Sequence, residues 1–222
     1  MKVIVFDTET TGLPERGNNN VTDTTKWPHI IQLSYIGFDT EKKEIFEYSD
    51  YIILLNPEVT ISPESIAVHK ITRERSEREG IPIEQVLAAF RECLKDADLI
   101  VAHNINFDKN MLMVECNRRG LPNCFMRNGA FIPEFCTMTN TIALCQLPNP
   151  VKKYADMGQF KWPSLAELHF KLFQSQTKGA HNAIVDVMVC LRCYVKIHHQ
   201  YDIANDLAVK LVFRTLFSAY CV

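Results

Sequence analysis

The sequence contains no uninterrupted apolar run of about 18 or more residues, the length that a membrane-spanning helix needs. It also lacks an excess of positive charge, because 24 Lys and Arg residues stand against 26 Asp and Glu residues, for a net charge of -2. The first absence excludes a helical membrane span. The second argues against a broadly basic surface of the kind that coats duplex DNA, so any contact with nucleic acid must be local or metal-assisted.

A secretory leader and a disulfide framework are also missing. Strand-like sequence begins at residue 2, and the eight cysteines are scattered. We therefore expect reduced thiols and an intracellular, cytoplasmic location, with the nucleus as the alternative. Cys190 and Cys193 have the spacing of zinc ligands, but no second pair accompanies them, so core packing is the expected role. The length of 222 residues and the 47% hydrophobic content predict one domain over residues 1–222, with a C-terminal helix over 201–222 and no repeat.

Hydrophobic patterning predicts an alternation of strands and helices along the chain. The strands are expected at residues 3–13, 29–38, 45–55 and 99–101, with an edge strand near Phe131 inside an otherwise irregular stretch at 123–135. The helices are expected after Ser62 and Pro63, at residues 83–97, from a cap at Asn104 or Asn106 to about 118, and at 136–147, 165–173 and 203–220, with an irregular stretch at 152–163. Residues 178–186 lead into a further helix that extends to about His198. Three antiparallel strands followed by a β-α-β crossover predict an α/β domain with a mixed central sheet flanked by helices.

Two carboxylates stand at the end of the first predicted strand. Asp7 and Glu9 are two residues apart, and alternation in a strand places them on the same face. At contact distance they would repel each other by roughly 1 to 4 kcal/mol, depending on the local dielectric. The pattern is typical of a site that holds a cation, although a strand that ends at Phe6 and leaves the acids solvated in a turn is the alternative.

Two further acids stand near the starts of predicted helices. A lone aspartate in the first turn of a helix usually serves as a cap or interacts with the helix dipole, and that is the alternative for Asp108 and Asp186. If all four acids converge, their charge of about -4 calls for two divalent cations, and carboxylate oxygens suit Mg²⁺ or Mn²⁺. Two such cations are an established arrangement for hydrolysing phosphodiesters.

His181 is a candidate general base beside these acids. It lies five residues before Asp186, so the two would be about 140° apart on one helix and face a common centre only if His181 precedes the helix start. Gly179 gives the chain the freedom to turn there. An imidazole with an ordinary pKa near 6.5 suits proton abstraction at neutral pH, and a surface or core histidine is the alternative.

Three segments in order resemble the exonuclease motifs of the DEDDh family of 3′-to-5′ exonucleases, which includes proofreading subunits of replicative polymerases and oligoribonuclease. They are residues 6–13, His103-Asn104 with Phe107-Asp108, and His181 with Ala183 and Asp186, and together with a weaker match at residues 66–72 they span about residues 1–200. No tyrosine lies between residues 178 and 186, which argues against the sister class that uses tyrosine. The resemblance implies a ribonuclease H-like fold. Lys70 departs from the family, in which glycine is common, so the local turn there is open.

The resemblance also implies roles for individual residues. Asp7, Glu9 and Asp186 would bind a first metal, Asp7 and Asp108 a second, and His181 would be the base. Thr10 would receive the terminal 3′ hydroxyl, Leu13 would wedge against the last base, and the nucleotide pocket would be lined by His69, Asn104 and Phe107. The implied substrate is a nucleic-acid 3′ end, with single-stranded DNA favoured and RNA as the alternative, and a polymerase or other replication protein is the implied partner.

Two other functions compete with this one. An RNA-trimming or oligoribonuclease-type enzyme would use the same motifs, and a nucleic-acid-binding or polymerase-docking module that has lost catalysis would ordinarily show a substituted acid or histidine. Four lysines are candidates for phosphate contacts or for an ordinary solvated surface: Lys152, Lys153, Lys161 and Lys178. The oligomeric state is not specified by any of these patterns.

Overall fold

The computed structural model describes residues 1–177 and 182–220, with the backbone alone for 217–220. Its main sheet contains five strands: β1 (Lys2–Thr10), β2 (Ile30–Asp39), β3 (Glu44–Ile52), β4 (Leu99–Ala102) and β7 (Glu134–Cys136). A separate hairpin consists of β5 (Met126–Arg127) and β6 (Ala130–Phe131). The sheet order is β3-β2-β1-β4-β7, with antiparallel pairing from β1 to β3 and parallel pairing of β4 with β1 and with β7. The predicted mixed sheet is therefore confirmed.

Helices cover both faces of this sheet. In the described residues they are α1 (Pro63–His69), α2 (Arg73–Glu79), α3 (Ile83–Leu94), α4 (Ile105–Arg118), α5 (Ile142–Cys145), α6 (Lys152–Asp156), α7 (Leu165–Phe173), α8 (Ala183–His199) and α9 (Leu207–Tyr220). Short 3₁₀ turns occur at Thr24–Lys26, Thr139–Thr141 and Ile203–Asn205. None of these helices is long and apolar enough to span a membrane.

Side-chain caps explain where several helices begin. The Ser62 hydroxyl accepts a hydrogen bond from the Ser65 amide at 3.1 Å, and Ser164 and Glu167 form a reciprocal capping box at the start of α7. Both starts agree with the predictions. The helix α2 was not predicted because its sequence is almost entirely polar and has no apolar period to detect.

The two faces of β1 point into two different core layers. Ile4 and Phe6 pack with buried residues of α3 and α4, whereas Val3 and Val5 pack with buried residues of α8. This alternation is what a strand covered on both sides requires. Cys190 and Cys193 are buried in the α8 layer, so their predicted role in core packing is confirmed.

Two predicted segments differ from the structure. The predicted helix at 136–147 is wrong in its first half, because Cys136 ends β7 and regular α-helix covers only Ile142–Cys145. Here Thr141 and Asn140 donate side-chain hydrogen bonds to the carbonyls of Thr137 and Cys136, which competes with a regular helical start. The edge strand predicted near Phe131 belongs to the small hairpin, and β7 forms the edge of the main sheet.

Lys70 adopts the left-handed conformation, with φ of 62°, at the C-terminal cap of α1. Its amide donates to the Ile66 carbonyl at 2.9 Å, so the backbone forms the turn that glycine forms most easily. The turn is therefore kept although Lys70 stands where glycine is common in the family, because the lysine itself adopts the left-handed conformation.

Candidate active site

Strand β1 extends beyond its paired region with β4, and Asp7 and Glu9 lie on this extension. β1 continues to Thr10, so the alternative in which the strand ends at Phe6 is wrong. Asp7 and Glu9 are partly exposed, while the intervening Thr8 is 5% exposed. The pair thus shares the face of β1 that lies under α8, as strand alternation predicts.

The helix α8 brings Asp186 to the same place. The amide of Ala183, the first residue of α8, donates to Oε1 of Gln32 at 3.4 Å. Gln32 lies opposite Glu9 in the β1–β2 ladder and is fully buried, and its side-chain amide donates to Asp50 at 2.7 Å. Gln32 therefore ties the start of α8 to the sheet beside the acid pair, and Asp186 follows in the first turn of the helix.

Three of the four predicted acids converge directly. Carboxylate oxygens of Asp7, Glu9 and Asp186 all lie within 4.8 Å of one another. Carboxylate oxygens at this separation are the donor set that hard divalent cations accept. Among the described residues no lysine or arginine forms an ion pair with Asp7, Glu9 or Asp108, so the chain there does not supply the balancing charge itself.

Asp108 approaches from the other side of β1. It is 3% exposed, and its Oδ1 accepts hydrogen bonds from the Thr8 amide at 3.0 Å and from the Thr8 hydroxyl at 2.7 Å. The reason is the length of β4, which pairs with β1 only over Val3–Val5 and leaves the Thr8 amide without a strand partner. The Asp108 carboxylate accepts the hydrogen bond from the Thr8 amide that a strand carbonyl would otherwise accept.

Burial and mutual repulsion raise the pKa values of these acids. Burial is the main cause for Asp7, whose pKa is well above its ordinary value, and the charges of Asp108, Asp186 and Glu9 add to it. Burial, then Asp186 and Asp108, raises the pKa of Glu9 to about 8. The pKa of Asp108 rises to about 7, again through burial first, although the Thr8 hydrogen bonds lower it. Perturbed acids grouped in this way are characteristic of functional sites, and a cation would relieve their repulsion.

The predicted substrate residues lie in varied environments at the ends of β1 and β4. Leu13 is 85% exposed, as a side chain that wedges against a base must be. Thr10 is buried, and its hydroxyl donates to the Gly12 carbonyl at 2.7 Å. Asn104 is exposed at a left-handed turn that precedes α4, and Phe107 is partly buried against the core.

His69 is buried at the end of α1. Its Nδ1 accepts a hydrogen bond from the Ile71 amide at 3.0 Å. Its Nε2 faces the Thr10 backbone but makes no hydrogen bond of good geometry. Burial lowers the pKa of His69, which favours the neutral ring.

Two other candidates have different outcomes. His181 and Lys178 lie outside the described residues, and the described helix begins at Ala183. The Lys161 ammonium contacts both carboxylate oxygens of Glu167, at 2.6 and 2.7 Å, and is therefore part of the helix cap. Lys152 and Lys153 are exposed in the short helix α6.

The sequence reasoning missed the residues that hold the acids in position. Thr8 binds Asp108, and Gln32 binds the start of α8. A signal for Gln32 was present, because Gln32 and Ser34 are the polar residues of an otherwise apolar buried strand. In the hairpin register they lie opposite Glu9 and Asp7, which marks that strand as part of the site.

A cleft of about 610 Å³ opens beside the acids. Asp7 and Asp186 line one part of it, and His103 and Asn104 of the turn between β4 and α4 line another. The segment from Lys161 to Ala166 forms a further wall. The carboxylates are therefore accessible to a ligand of nucleotide size.

Comparison with known proteins gives consistent results. The RNase_T family model, described as exonuclease, matches residues 4–194. A PolC-type DNA polymerase III from Caldanaerobacter subterraneus subsp. tengcongensis is 28% identical over 196 residues, which are 87% of this chain and 11% of that protein. The chain thus spans about a tenth of the length of that relative.

Two solved structures share the fold. E. coli exonuclease I in complex with a dT13 oligonucleotide has a TM-score of 0.65 at 16% identity, over 97% of this chain and 43% of that one. The nuclease domain of 3′hExo, a DEDDh family member bound to rAMP, has a TM-score of 0.57 at 17% identity, over 90% of this chain and 92% of that one. The ribonuclease H-like fold is thereby confirmed. Because the family model spans most of the sequence, the chain belongs to the RNase_T exonuclease family.

Proposed function

We propose that the chain is a metal-dependent 3′-to-5′ exonuclease that removes nucleoside monophosphates from the 3′ end of unpaired DNA. The observation that carries this proposal is the convergence of Asp7, Glu9 and Asp186, with Asp108 beside them. Burial and the neighbouring acids raise the pKa values of Asp7, Glu9 and Asp108, and bound cations would stabilise their charged forms. Phosphodiester hydrolysis is the chemistry that paired cations on carboxylates serve. The dT13 complex of the exonuclease I neighbour supports single-stranded DNA as the substrate.

The cofactors we propose are two divalent cations, Mg²⁺ or Mn²⁺. Asp7, Glu9 and Asp186 hold the first, and Asp7 and Asp108 hold the second. When bound, they polarise the phosphoryl group and lower the pKa of the attacking water. Asp108 is held for this role by the Thr8 amide and hydroxyl.

The chain's own residues then bind the substrate and move the proton. His181 in its neutral form accepts the proton of the attacking water. Thr10 receives the 3′ hydroxyl, Leu13 packs against the terminal base, and the nucleotide pocket consists of His69, Asn104 and Phe107. The rate should rise as pH climbs through the pKa of His181, and His181→Ala should flatten that limb of the profile while metal binding is retained.

One experiment tests the activity, its polarity and its substrate together. The purified chain is incubated with Mg²⁺ or Mn²⁺ on matched DNA and RNA strands that carry a label at either end. We expect 5′-labelled DNA to shorten stepwise and 3′-labelled DNA to release its label as a mononucleotide in the first cut. Release from the 5′ end, or no cleavage in either metal, would contradict the proposal.

RNA is the second candidate substrate. The 3′hExo neighbour is bound to rAMP, so this fold accommodates a ribonucleotide product in that protein. Faster shortening of the RNA strand than of the DNA strand would identify an RNA-trimming enzyme. The PolC-type relative favours a replication context, and binding of the chain to a replicative polymerase subunit would test that partner.

A further inference from the structure

Trp162 is an exposed tryptophan on the wall of the cleft that contains the acids. Its side chain is 63% exposed, whereas Trp27, the second tryptophan of the chain, is 6% exposed in the core. Burying a tryptophan removes a large apolar area from water, and leaving it exposed forgoes that stabilisation. An indole held open in a cleft therefore suggests a ligand that covers it.

The backbone around Trp162 is fixed on both sides. The Lys161 amide donates to the Leu147 carbonyl at 3.0 Å, and the Pro163 carbonyl accepts from Nε2 of His103 at 3.1 Å. Burial lowers the pKa of His103 to about 4, so its ring is neutral. Because a carbonyl only accepts, Nε2 carries the proton and Nδ1 accepts from the Thr137 hydroxyl at 2.9 Å. The indole is thus presented from a rigid segment tied to the end of β4.

The wall that bears Trp162 has little positive charge to offer. Lys161 is paired with Glu167, and the remaining wall residues, from Pro163 to Ala166, are uncharged. Recognition of phosphate by cations is therefore weak at this wall. A flat indole face recognises the flat face of a base, and it does so for any base, provided the base is unpaired.

The lining of the cleft places this base close to the point of hydrolysis. Asp7 and Asp186, two of the proposed metal ligands, line the cleft together with Trp162. Asn104, which is proposed for the nucleotide pocket, lines it as well. A strand bound at the acids would therefore bring a base next to the indole.

We propose that Trp162 is a stacking platform for an unpaired base of the bound strand close to the bond that is cut, so that the chain selects single-stranded ends. This inference rests on the proposed function for the identity of the ligand. It assigns Trp162 a role in holding the substrate, with no part in the chemical step.

Fluorescence tests this assignment directly. Asp7→Asn protein, in which hydrolysis is blocked on the proposed function, is titrated with oligodeoxythymidylate and with a blunt G·C-rich duplex of equal length. We expect the single strand to quench the tryptophan emission and the duplex to leave it unchanged. In the same background Trp162→Phe should bind the single strand nearly as well but lose most of the quench. Trp27→Phe, which removes the other tryptophan, should keep the quench, because Trp27 does not line the cleft of the acids.

The affinity for the single strand should also depend on Trp162. Trp162→Ala should weaken binding of the single strand by roughly 5- to 100-fold, the range of base stacking on an aromatic side chain. Phe170→Ala is the matched control, since Phe170 is 50% exposed on α7 and does not line the cleft, and its affinity should not change. Unchanged affinity in Trp162→Ala, or loss of the quench in Trp27→Phe, would overturn the inference.

The failure of this inference and that of the proposed function are distinguishable. If the wild-type chain degrades labelled single strands while Trp162→Ala binds as tightly as its parent, only the stacking role is wrong. If the wild-type chain degrades nothing but binds single strands with the Trp162-dependent quench, the stacking role is supported and the nuclease proposal fails. Absence of both cleavage and binding overturns both.

Discussion

The helix α4 carries two buried acids, two turns apart, whose electrostatic environments are opposite. Asp108 is 3% exposed and its pKa rises to about 7, whereas Glu115 is 1% exposed and its pKa is lowered. Burial pushes both pKa values up. At Glu115 a hydrogen bond with His29 and the charges of Arg118 and Arg119 outweigh it, while Asp108 faces Asp186 and the other acids.

Glu115 stabilises the fold through ion pairs within the chain, whereas the acids of the candidate site carry charge that a bound cation would balance. Glu115 is balanced inside the chain by Arg118 at 2.7 Å and Arg119 at 2.6 Å. Arg118 also donates to the carbonyls of Thr24 and Pro28, which fastens the loop before β2 to α4. The described part of the chain provides no such cation for Asp108, Asp7 or Glu9. Burial without internal compensation, more than burial itself, distinguishes the candidate active site.

The largest expected effect is on activity, in Asp7→Asn. Removing a ligand shared by both proposed cations should cost several kcal/mol of transition-state stabilisation, which lowers the rate of single-strand degradation by about 1,000-fold or more. The free energy of unfolding without metal should stay equal or rise, because one repelling charge is gone. Urea denaturation in EDTA measures this, and near-normal turnover in a folded variant would refute the assigned site.

Glu115→Gln should lose stability and keep its activity, which is the opposite of the result expected for Asp7→Asn. Removing one partner from a buried, hydrogen-bonded ion pair typically costs about 3 to 5 kcal/mol of stability. The unfolding midpoint in urea should fall accordingly, while the turnover number of the folded fraction stays within about twofold, because Glu115 contacts Arg118 and Arg119 and none of the acids at the site. A stable Glu115→Gln protein with impaired turnover would reverse the comparison.

The acids of the candidate site and Glu115 also show what the sequence alone can predict. The common face of Asp7 and Glu9 follows from strand alternation, and the helices near Asp108 and Asp186 follow from their apolar residues. Neither helix begins with a side-chain cap hydrogen bond, so the asparagine cap expected for the first of them is wrong. The pairing of Glu115 with Arg118 and Arg119 is visible as helical spacing, but its burial is not, since it depends on where the loop before β2 packs.

The positions of the acids relative to one another were harder to predict. Asp108 reaches Thr8 only because β4 is shorter than β1, and strand lengths are among the least reliable features of a sequence. Gln32 holds the start of α8 through a contact between residues 151 apart in the chain. Such long-range contacts leave no local period for sequence reasoning to detect.

A smaller effect is expected from metal removal, and its size depends on pH. Glu9 and Asp108 have raised pKa values, so their contribution to the stability of the metal-free protein is fully present below their ordinary pKa values of 4.5 and 3.8 and is lost as pH rises through about 7 to 8. Glu115 acts in the opposite sense, since its lowered pKa makes stability fall as the solution becomes acidic.

Mg²⁺ should restore what is lost at high pH. At 100 times its dissociation constant the cation adds about 2.7 kcal/mol, which raises the melting temperature by roughly 5 to 10 °C for a chain of this size. Melts at pH 5 and pH 8.5, with Mg²⁺ or EDTA, measure both effects. The Asp7→Asn protein is the control, and a wild-type melting temperature that ignores Mg²⁺ at pH 8.5 would show that these acids do not bind it.

The smallest effect is expected at Thr8, which links the two sides of β1. Thr8→Val removes the 2.7 Å hydroxyl hydrogen bond to Asp108 and keeps the amide hydrogen bond at 3.0 Å, so the carboxylate loses one of two donors. Groups that orient a metal ligand typically change metal affinity by about 10- to 100-fold, and with the amide retained we expect the lower end of that range. The Mg²⁺ concentration at half-maximal activity should therefore rise about tenfold, while the rate at saturating Mg²⁺ changes little. The stability in EDTA should fall by about 1 kcal/mol, because the buried carboxylate loses one donor and keeps the other. Thr10→Val is the matched control. The Thr10 hydroxyl donates to the Gly12 carbonyl, so its removal should change the half-saturating substrate concentration and leave the Mg²⁺ requirement unchanged. An unaltered Mg²⁺ requirement in Thr8→Val would mean that the amide alone positions Asp108.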